Sequence, residues 1–205
     1  MKLPNKIFNY VKGLSYKIDT LGRSGDTIIL YEDKFVLKIS NNVNRIENES
    51  NKLIWLNNKL PTPKVIEFVK EGNIGYLLET MLKGKSLSSK EFIENPSLLC
   101  NLLAKAFFLV NSVNPENCPY LCPDCEGNDF VHGDFCLPNI LSDGVNITGF
   151  VDLDSCGLGD KLFDVAWACW SIHYNTKSFE NIEIFCKKIN IPYDKKTFEK
   201  YVSFD

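Results

Sequence analysis

The run Val131-His-Gly-Asp-Phe-Cys-Leu-Pro-Asn-Ile and the later Gly149-Phe-Val-Asp-Leu-Asp concentrate residue types that phosphate chemistry needs. Asp134 and Asn139 stand five apart. A proton-accepting aspartate and a metal-binding amide keep that separation in H-R-D-x-x-x-x-N loops that transfer phosphoryl groups. Asp152 closes an apolar strand downstream, where such sites place the carboxylate that grips magnesium. Carboxylate, amide and carboxylate are all oxygen donors, which suits a hard divalent cation bridging phosphates. Singly, Asp134 or Asn139 would be a turn residue and Asp152 a strand-end cap. Their order and spacing together point to phosphoryl transfer. His132, two residues before Asp134, could be mistaken for the base; a histidine at that place in H-R-D-x-x-x-x-N-type loops packs and hydrogen-bonds to hold the loop, which implies a structural role.

Elements must position these groups. Thr27–Tyr31 and Phe35–Ile39 are β-rich runs joined by Glu32-Asp-Lys, a hairpin pattern. Apolar Ile46, Leu53, Ile54 and Leu56 predict a helix over about 44–59, ended by Pro61 and Pro63. Strands are expected at Lys64–Val69 and Gly75–Thr80 around the turn Glu71-Gly-Asn. After Met81 the chain turns helical. Leu98–Val113 is a buried helix started by Asn95-Pro-Ser, and Phe163–Ile172 and Phe179–Lys188 are further helices. The exception is a short hairpin from Asn139-Ile-Leu through Ser142-Asp-Gly to Val145–Leu153. Leu82-Lys-Gly-Lys-Ser marks the boundary between a first domain, residues 1–80, and a second, residues 81–205.

Two further groups draw attention in the first domain. Lys38 interrupts the apolar strand Phe35-Val-Leu-Lys-Ile, where an ammonium is costly unless it is paired or at an edge. It is either a snorkelling surface lysine or the partner of Glu47 or Glu49 on the helix that follows. Gly22-Arg-Ser-Gly precedes the strand pair, and the backbone N–H groups of such a turn can cover phosphate oxygens.

Composition narrows the partners. The 205 residues, 44% hydrophobic and 24% charged, can bury a real core. The balance of 26 acidic against 23 basic side chains lacks the cationic surplus that a nucleic-acid backbone demands. The most apolar run, Leu98–Val113, contains Asn101, Lys105 and Asn111 and is too short to span a bilayer. Met1–Gly13 is polar and interrupted by Pro4, unlike an export signal. No nucleic acid, no membrane, a cytoplasmic setting and free thiols for the eight cysteines are the resulting expectations. The oligomeric state is left open. Cys118, Cys122 and Cys125, with Cys136 near in sequence, suggest a zinc half-site, but no second Cys-x-x-Cys or His pair completes it. Trp167 and Trp170, three apart on a helix, and His173, which carries no motif, are read as packing or surface residues.

HGDFCLPNIL, GFVDLD and GLGDKLFDVA stand in the order and spacing of the aminoglycoside 3′-phosphotransferases, members of the protein-kinase-like small-molecule kinases. The chain resembles that family through most of its length. LGRS, FVLKIS, ENESNKLIWLNNKLPTPKVI and YLLETMLKGKSL are similar to its nucleotide loop, lysine strand, glutamate helix and hinge. The resemblance implies an α+β, bilobal kinase-like fold: a small β-rich N-lobe with one key helix and a reduced, mainly helical C-lobe. It also implies an ATP- and magnesium-dependent kinase acting on a hydroxyl of a small polar acceptor, by default a cationic aminoglycoside antibiotic.

Carried over residue by residue, the resemblance makes Asp134 the catalytic base and Asn139 and Asp152 the magnesium ligands. Lys38 becomes the clamp on the α- and β-phosphates, with Glu49 as its partner and Glu47 as the fallback. Ser24 becomes a phosphate contact, and Thr80 and Leu82 flank the hinge that meets adenine through backbone groups. The resemblance makes Asp164 the residue that braces the catalytic loop, a role compatible with its plainer reading as a helix N-cap. The chain departs from the family in three places. The connection from Leu121 to Val131 is short where the family inserts an acidic, helical acceptor-binding segment. The sequence stops at Asp205, short of an expected acidic acceptor contact, and Cys156 stands where arginine is common. A nucleotide-binding relic without efficient transfer, a kinase for a different small alcohol and a zinc-stapled binding module are the alternatives these departures raise.

Overall fold

The computed structural model describes residues 3–19 and 26–203, and the chain divides into two compact units, Met1–Asn57 with Thr62–Leu82 and Asn58–Pro61 with Lys83–Asp205. The first unit runs α1 (Asn5–Val11), β1 (Tyr16–Asp19), β2 (Thr27–Tyr31), β3 (Phe35–Ser40), α2 (Val43–Leu56), β4 (Val65–Glu71) and β5 (Ile74–Thr80). Its strands form one sheet in the order β1-β2-β3-β5-β4, antiparallel throughout. Side chains alternate across such a sheet. Ile29, Tyr31, Leu37, Ile39, Tyr76 and Leu78 therefore share one face, where Ile7 and Val11 of α1 cover them. Each such burial contributes roughly 1.5–3 kcal/mol. Lys38 and Val36 take the opposite face by the same alternation. Helix α1 was not anticipated: it is short, and its N-cap, Pro4, makes no side-chain capping bond. Its one sequence signal is the i, i+4 pair Ile7 and Val11.

Helix α2 starts at Asn42, whose side chain accepts a hydrogen bond from Arg45 N–H. Ile46, Leu53 and Leu56 are buried on it, and it lies close enough to β5 that a Cβ at Gly75 would run into Ile46 Cγ2. That packing holds Glu49, itself buried, to one side of the sheet.

The second unit carries β6 (Lys85–Ser86), α3 (Lys90–Ile93), α4 (Pro96–Asn111), β7 (Asp129–Val131), a 3-10 turn (Leu137–Asn139), β8 (Ile140–Ser142) and β9 (Ile147–Phe150). It continues with β10 (Gly157–Gly159), α5 (Lys161–Thr176), α6 (Phe179–Ile189) and α7 (Lys195–Phe198). Asn95, Asp160, Ser178 and Asp194 cap α4, α5, α6 and α7 by accepting backbone N–H bonds. Leu99, Leu103, Ala106 and Val110 of α4 are fully buried, as are Val165, Ala168 and Ile172 of α5 and Ile182 and Phe185 of α6. This is the helical core. Strands β6, β8 and β9 make one small sheet and β7 and β10 another. Among the described residues no helix is long and apolar enough to cross a membrane.

Candidate functional site

Strand β7 delivers the chain into the loop that holds Asp134. The Asp164 carboxylate, one turn into α5 and 1% exposed, accepts from two consecutive backbone donors: His132 N–H at 2.7 Å and Gly133 N–H at 3.0 Å. One side chain thus fixes two peptide planes of the loop. Gly133 adopts φ +83°, and a Cβ there would sit 2.5 Å from the Ser155 carbonyl oxygen. Only glycine fits both the dihedral and the space. Burial pushes the Asp164 carboxyl up to about 7, with Asp134 nearby adding to the rise, while its two N–H donors oppose it.

Replacing Asp164 with Asn leaves one of those N–H groups without its acceptor. The expected loss is about 1–3 kcal/mol, read as a lower urea midpoint at unchanged slope. A carboxyl raised above its ordinary 3.8 binds a proton in the fold that the unfolded chain has released. Its contribution to stability is complete below about pH 4 and falls as pH rises toward about 7. The stability gap between wild type and Asp164→Asn should therefore shrink across that window. A gap that widens with pH would contradict this assignment.

His132 is fully buried between Phe135 and Phe150, with ring centroids 6.1 and 6.0 Å away. Its Nδ1 accepts from Asp134 N–H at 3.3 Å, which places the imidazole proton on Nε2. Burial lowers its basicity below the usual histidine range, against the pull of Asp134, Asp152 and Asp154. A neutral, buried ring already used as an acceptor is a support for the loop. That matches the role read for it from sequence.

Asp134 itself is half-buried, and its carboxylate and carbonyl both meet Asn139. Asn139 Nδ2 donates to Asp134 Oδ2 at 2.8 Å and to Asp134 O at 3.0 Å. Both bonds use the amide nitrogen, so the amide oxygen is the atom turned to other work. The 3-10 turn that carries Asn139 is held on two sides, by Leu137 N–H donating to Ser171 Oγ on α5 and by Ser86 Oγ donating to Leu137 O. Val151 N–H donates to Asn139 O at 3.0 Å, tying the segment after β9 to the loop one residue before Asp152. Asp152 is exposed, with φ +61°, a left-handed conformation that Asp tolerates better than most residues. Asp134 and Asn139 are thus hydrogen-bonded to each other, and Asp152 follows directly on the Val151 N–H that is bonded to Asn139.

In the first unit, Lys38 Nζ lies 2.5 Å from Glu49 Oε1 and 3.7 Å from Glu79 Oε1. Glu47, two residues along α2, is exposed. The helix explains the choice between them. Glu49 falls three after Ile46 and four before Leu53, on the buried stripe, and Glu47 does not. Glu79 was missed in the sequence. It lies opposite Val36 in the β3–β5 ladder while Lys38 lies opposite Leu77, so the two share a face through a register that single-strand patterns do not reveal. The weak signal was a charge inside the apolar run of β5. Thr80 N–H donates to Lys64 O, and Thr80 Oγ1 accepts from Lys64 N–H, both at 2.9 Å. Both groups are therefore engaged within the sheet. Ser24 and its loop, and Asp205, lie outside the described residues.

Cys122 and Cys125 pack together, but the four cysteines of the zinc alternative do not form one cluster. Cys136 Sγ faces the Trp167 carbonyl at 3.9 Å and Cys118 Sγ the Tyr120 carbonyl at 3.6 Å. Among the described residues no group of three or more His, Cys, Asp or Glu side chains is placed to hold a metal ion. Magnesium at a phosphate site does not need such a cage, since one or two protein ligands, phosphate oxygens and water complete its shell. Asn139 and Asp152 each carry a side-chain oxygen that could serve as such a ligand. Between α4 and β7, residues 112–128 form no helix. They are stitched to β10 by Cys122 N–H donating to Leu158 O and Leu158 N–H donating to Tyr120 O.

Residues 128–182 match the phosphotransferase enzyme family. The chain is 26% identical to a probable aminoglycoside 3′-phosphotransferase of Lactococcus lactis, over 85% of this chain and 82% of that one. It is 24% identical to an aminoglycoside 3′-phosphotransferase of Niallia circulans, over 84% of each. The Lactococcus alignment runs over 219 positions while using 85% of the 205 residues here, so several tens of the relative's residues have no counterpart in this chain. Among solved structures, aminoglycoside phosphotransferase APH(3'')-Id of Streptomyces rimosus superposes with a TM-score of 0.77 at 18% identity, over 96% of this chain and 93% of that one. The same protein has been solved with ADP and streptomycin bound. The α+β, kinase-like fold expected from the sequence is the fold of these structures.

Proposed function

We propose that this chain, a shortened relative of the aminoglycoside 3′-phosphotransferases, transfers the γ-phosphoryl group of ATP to a hydroxyl of a small, amine-bearing acceptor. The observation that carries this reading is the double grip of Asn139 on Asp134. The amide nitrogen holds Oδ2 of the carboxylate and so fixes its orientation; in the proposed reaction this carboxylate accepts the proton of an incoming hydroxyl. As that proton moves to Asp134, the acceptor oxygen bonds to the γ-phosphorus and ADP departs with the bridging oxygen. Asn139, through its amide oxygen, and Asp152, through its carboxylate, are the residues that would hold magnesium. Once bound, the ion neutralises charge on the phosphate oxygens. Lys38, held by Glu49, supplies the ammonium for the α- and β-phosphates. Leu82, beyond the engaged Thr80, offers backbone groups to the base, and Ser24 a hydroxyl to the phosphates.

The short 112–128 connection favours a second reading of the acceptor alone. Its acidic side chains are limited to Glu116, Asp124 and Glu126, which suits a molecule with fewer ammonium groups than the larger antibiotics. An ADP-release assay over kanamycin, streptomycin and simpler amino alcohols tests the proposal. Release that depends on an acceptor supports it. A rate that is the same with and without every acceptor would contradict it.

A further inference from the structure

We infer that Glu79 is a second carboxylate seat for the Lys38 ammonium, a positioning residue that keeps this lysine in place when its contact with Glu49 is lost. The inference rests on the reading of Lys38 as the lysine that binds the nucleotide phosphates. All three side chains are enclosed: Lys38 is 11% exposed by its side chain, Glu49 1% and Glu79 2%. A buried ammonium needs a carboxylate close by, and breaking a single buried pair is severely destabilising. Here the ammonium has one carboxylate at 2.5 Å and another at 3.7 Å. A shift of about an ångström carries it from hydrogen-bonding distance of the first to that of the second.

The two carboxylates are held by different means. Glu49 depends on the packing of α2 against the sheet, where Ile46 meets Gly75 of β5. Glu79 belongs to β5, whose backbone pairs directly with β3, residue 79 with 36 and residue 77 with 38. Its place relative to Lys38 is therefore fixed by the ladder itself and survives displacement of the helix. A lysine anchored from both a helix and a neighbouring strand keeps its ammonium in one small region, and that persistence is what a phosphate-binding cation requires.

The test is a double-mutant cycle read as the Kd for ADP in the presence of magnesium, which needs no acceptor. Glu49→Gln alone is expected to weaken binding by up to about tenfold and Glu79→Gln by up to about threefold, because each leaves one carboxylate on Lys38. Together they should weaken it by more than about a hundredfold, well beyond the product of the single effects. A merely structural Glu79 would lower the melting temperature without making its effect on ADP affinity depend on Glu49. If the double variant does not fold, Glu79→Asp in the Glu49→Gln protein serves, since the charge stays but withdraws by one methylene. A further rise in Kd is then expected. Multiplicative effects, or no added loss from Glu79→Asp, would overturn the role of Glu79. Lys38→Met separates this from the parent reading. Weakened ADP binding in that variant beside a multiplicative cycle overturns Glu79 alone, and unchanged ADP binding overturns both.

Discussion

Asp134→Ala is expected to lower acceptor-dependent turnover by about 10²–10⁴-fold, the usual worth of a positioned general base, while ADP affinity stays close to wild type. The loop survives the change because most of its frame is held by other groups. Asp164 holds the N–H groups of His132 and Gly133, Ser171 holds Leu137, and Val151 holds the Asn139 carbonyl. Asn139 loses its bond to Oδ2 but keeps the one to the residue 134 carbonyl, which no side-chain substitution removes. What disappears is the acceptor for the substrate proton. Steady-state rates with and without acceptor, beside a calorimetric ADP titration, check both halves. Equal turnover in the two proteins would remove Asp134 from the reaction.

The second large effect is expected at Asp152. Asn keeps the size of the side chain and, like Asp, accepts the φ of +61° found there, whereas Ala in that conformation adds about 1–2 kcal/mol of strain. Asp152→Asn therefore removes the charge while keeping the side chain's size and the backbone conformation. Nucleotide binding that depends on magnesium should weaken by at least the 10–100-fold that loss of even an outer-shell metal partner costs. Titrating ADP at rising magnesium concentrations measures this as a shift of the metal dependence to higher concentration. An unchanged metal dependence would take Asp152 out of the ligand set.

Local motifs account for most of what the sequence made legible. His132, Asp134 and Asn139 fall within eight consecutive residues, and the bonds of residue 134 to His132 and Asn139 are made inside that run. The strands and helices read from periodicity are present at β2, β3, β4, β5, α2, α4, α5 and α6, because each is long enough to show a period. Helix α1 and the three-residue strands β7 and β10 are too short for that. Strand β10 forms where glycines let backbones close in: a Cβ at Gly157 would run into the backbone of Tyr120 to Cys122. The preference of Lys38 for Glu49 over Glu47 follows from the buried stripe of α2 and could have been read from spacing alone. Glu79 could not, since its place beside Lys38 depends on the pairing of β3 with β5, strands separated by a helix and another strand. Asp164 stands 32 residues from the N–H it holds at His132. The family resemblance points to this role, whereas local patterning makes it an N-cap, and the cap of α5 is Asp160, four residues earlier.

Phosphoryl transfer to an acceptor hydroxyl, with Asp134 taking the proton, is tested most directly by weighing the acceptor. Kanamycin and a set of simpler amino alcohols, each incubated with the protein, ATP and magnesium, are compared by mass spectrometry with the same mixtures containing Asp134→Ala. At least one acceptor is predicted to gain a single phosphoryl group with the wild-type protein and none with the variant. ATP converted to ADP and free phosphate while every acceptor keeps its mass would contradict the account.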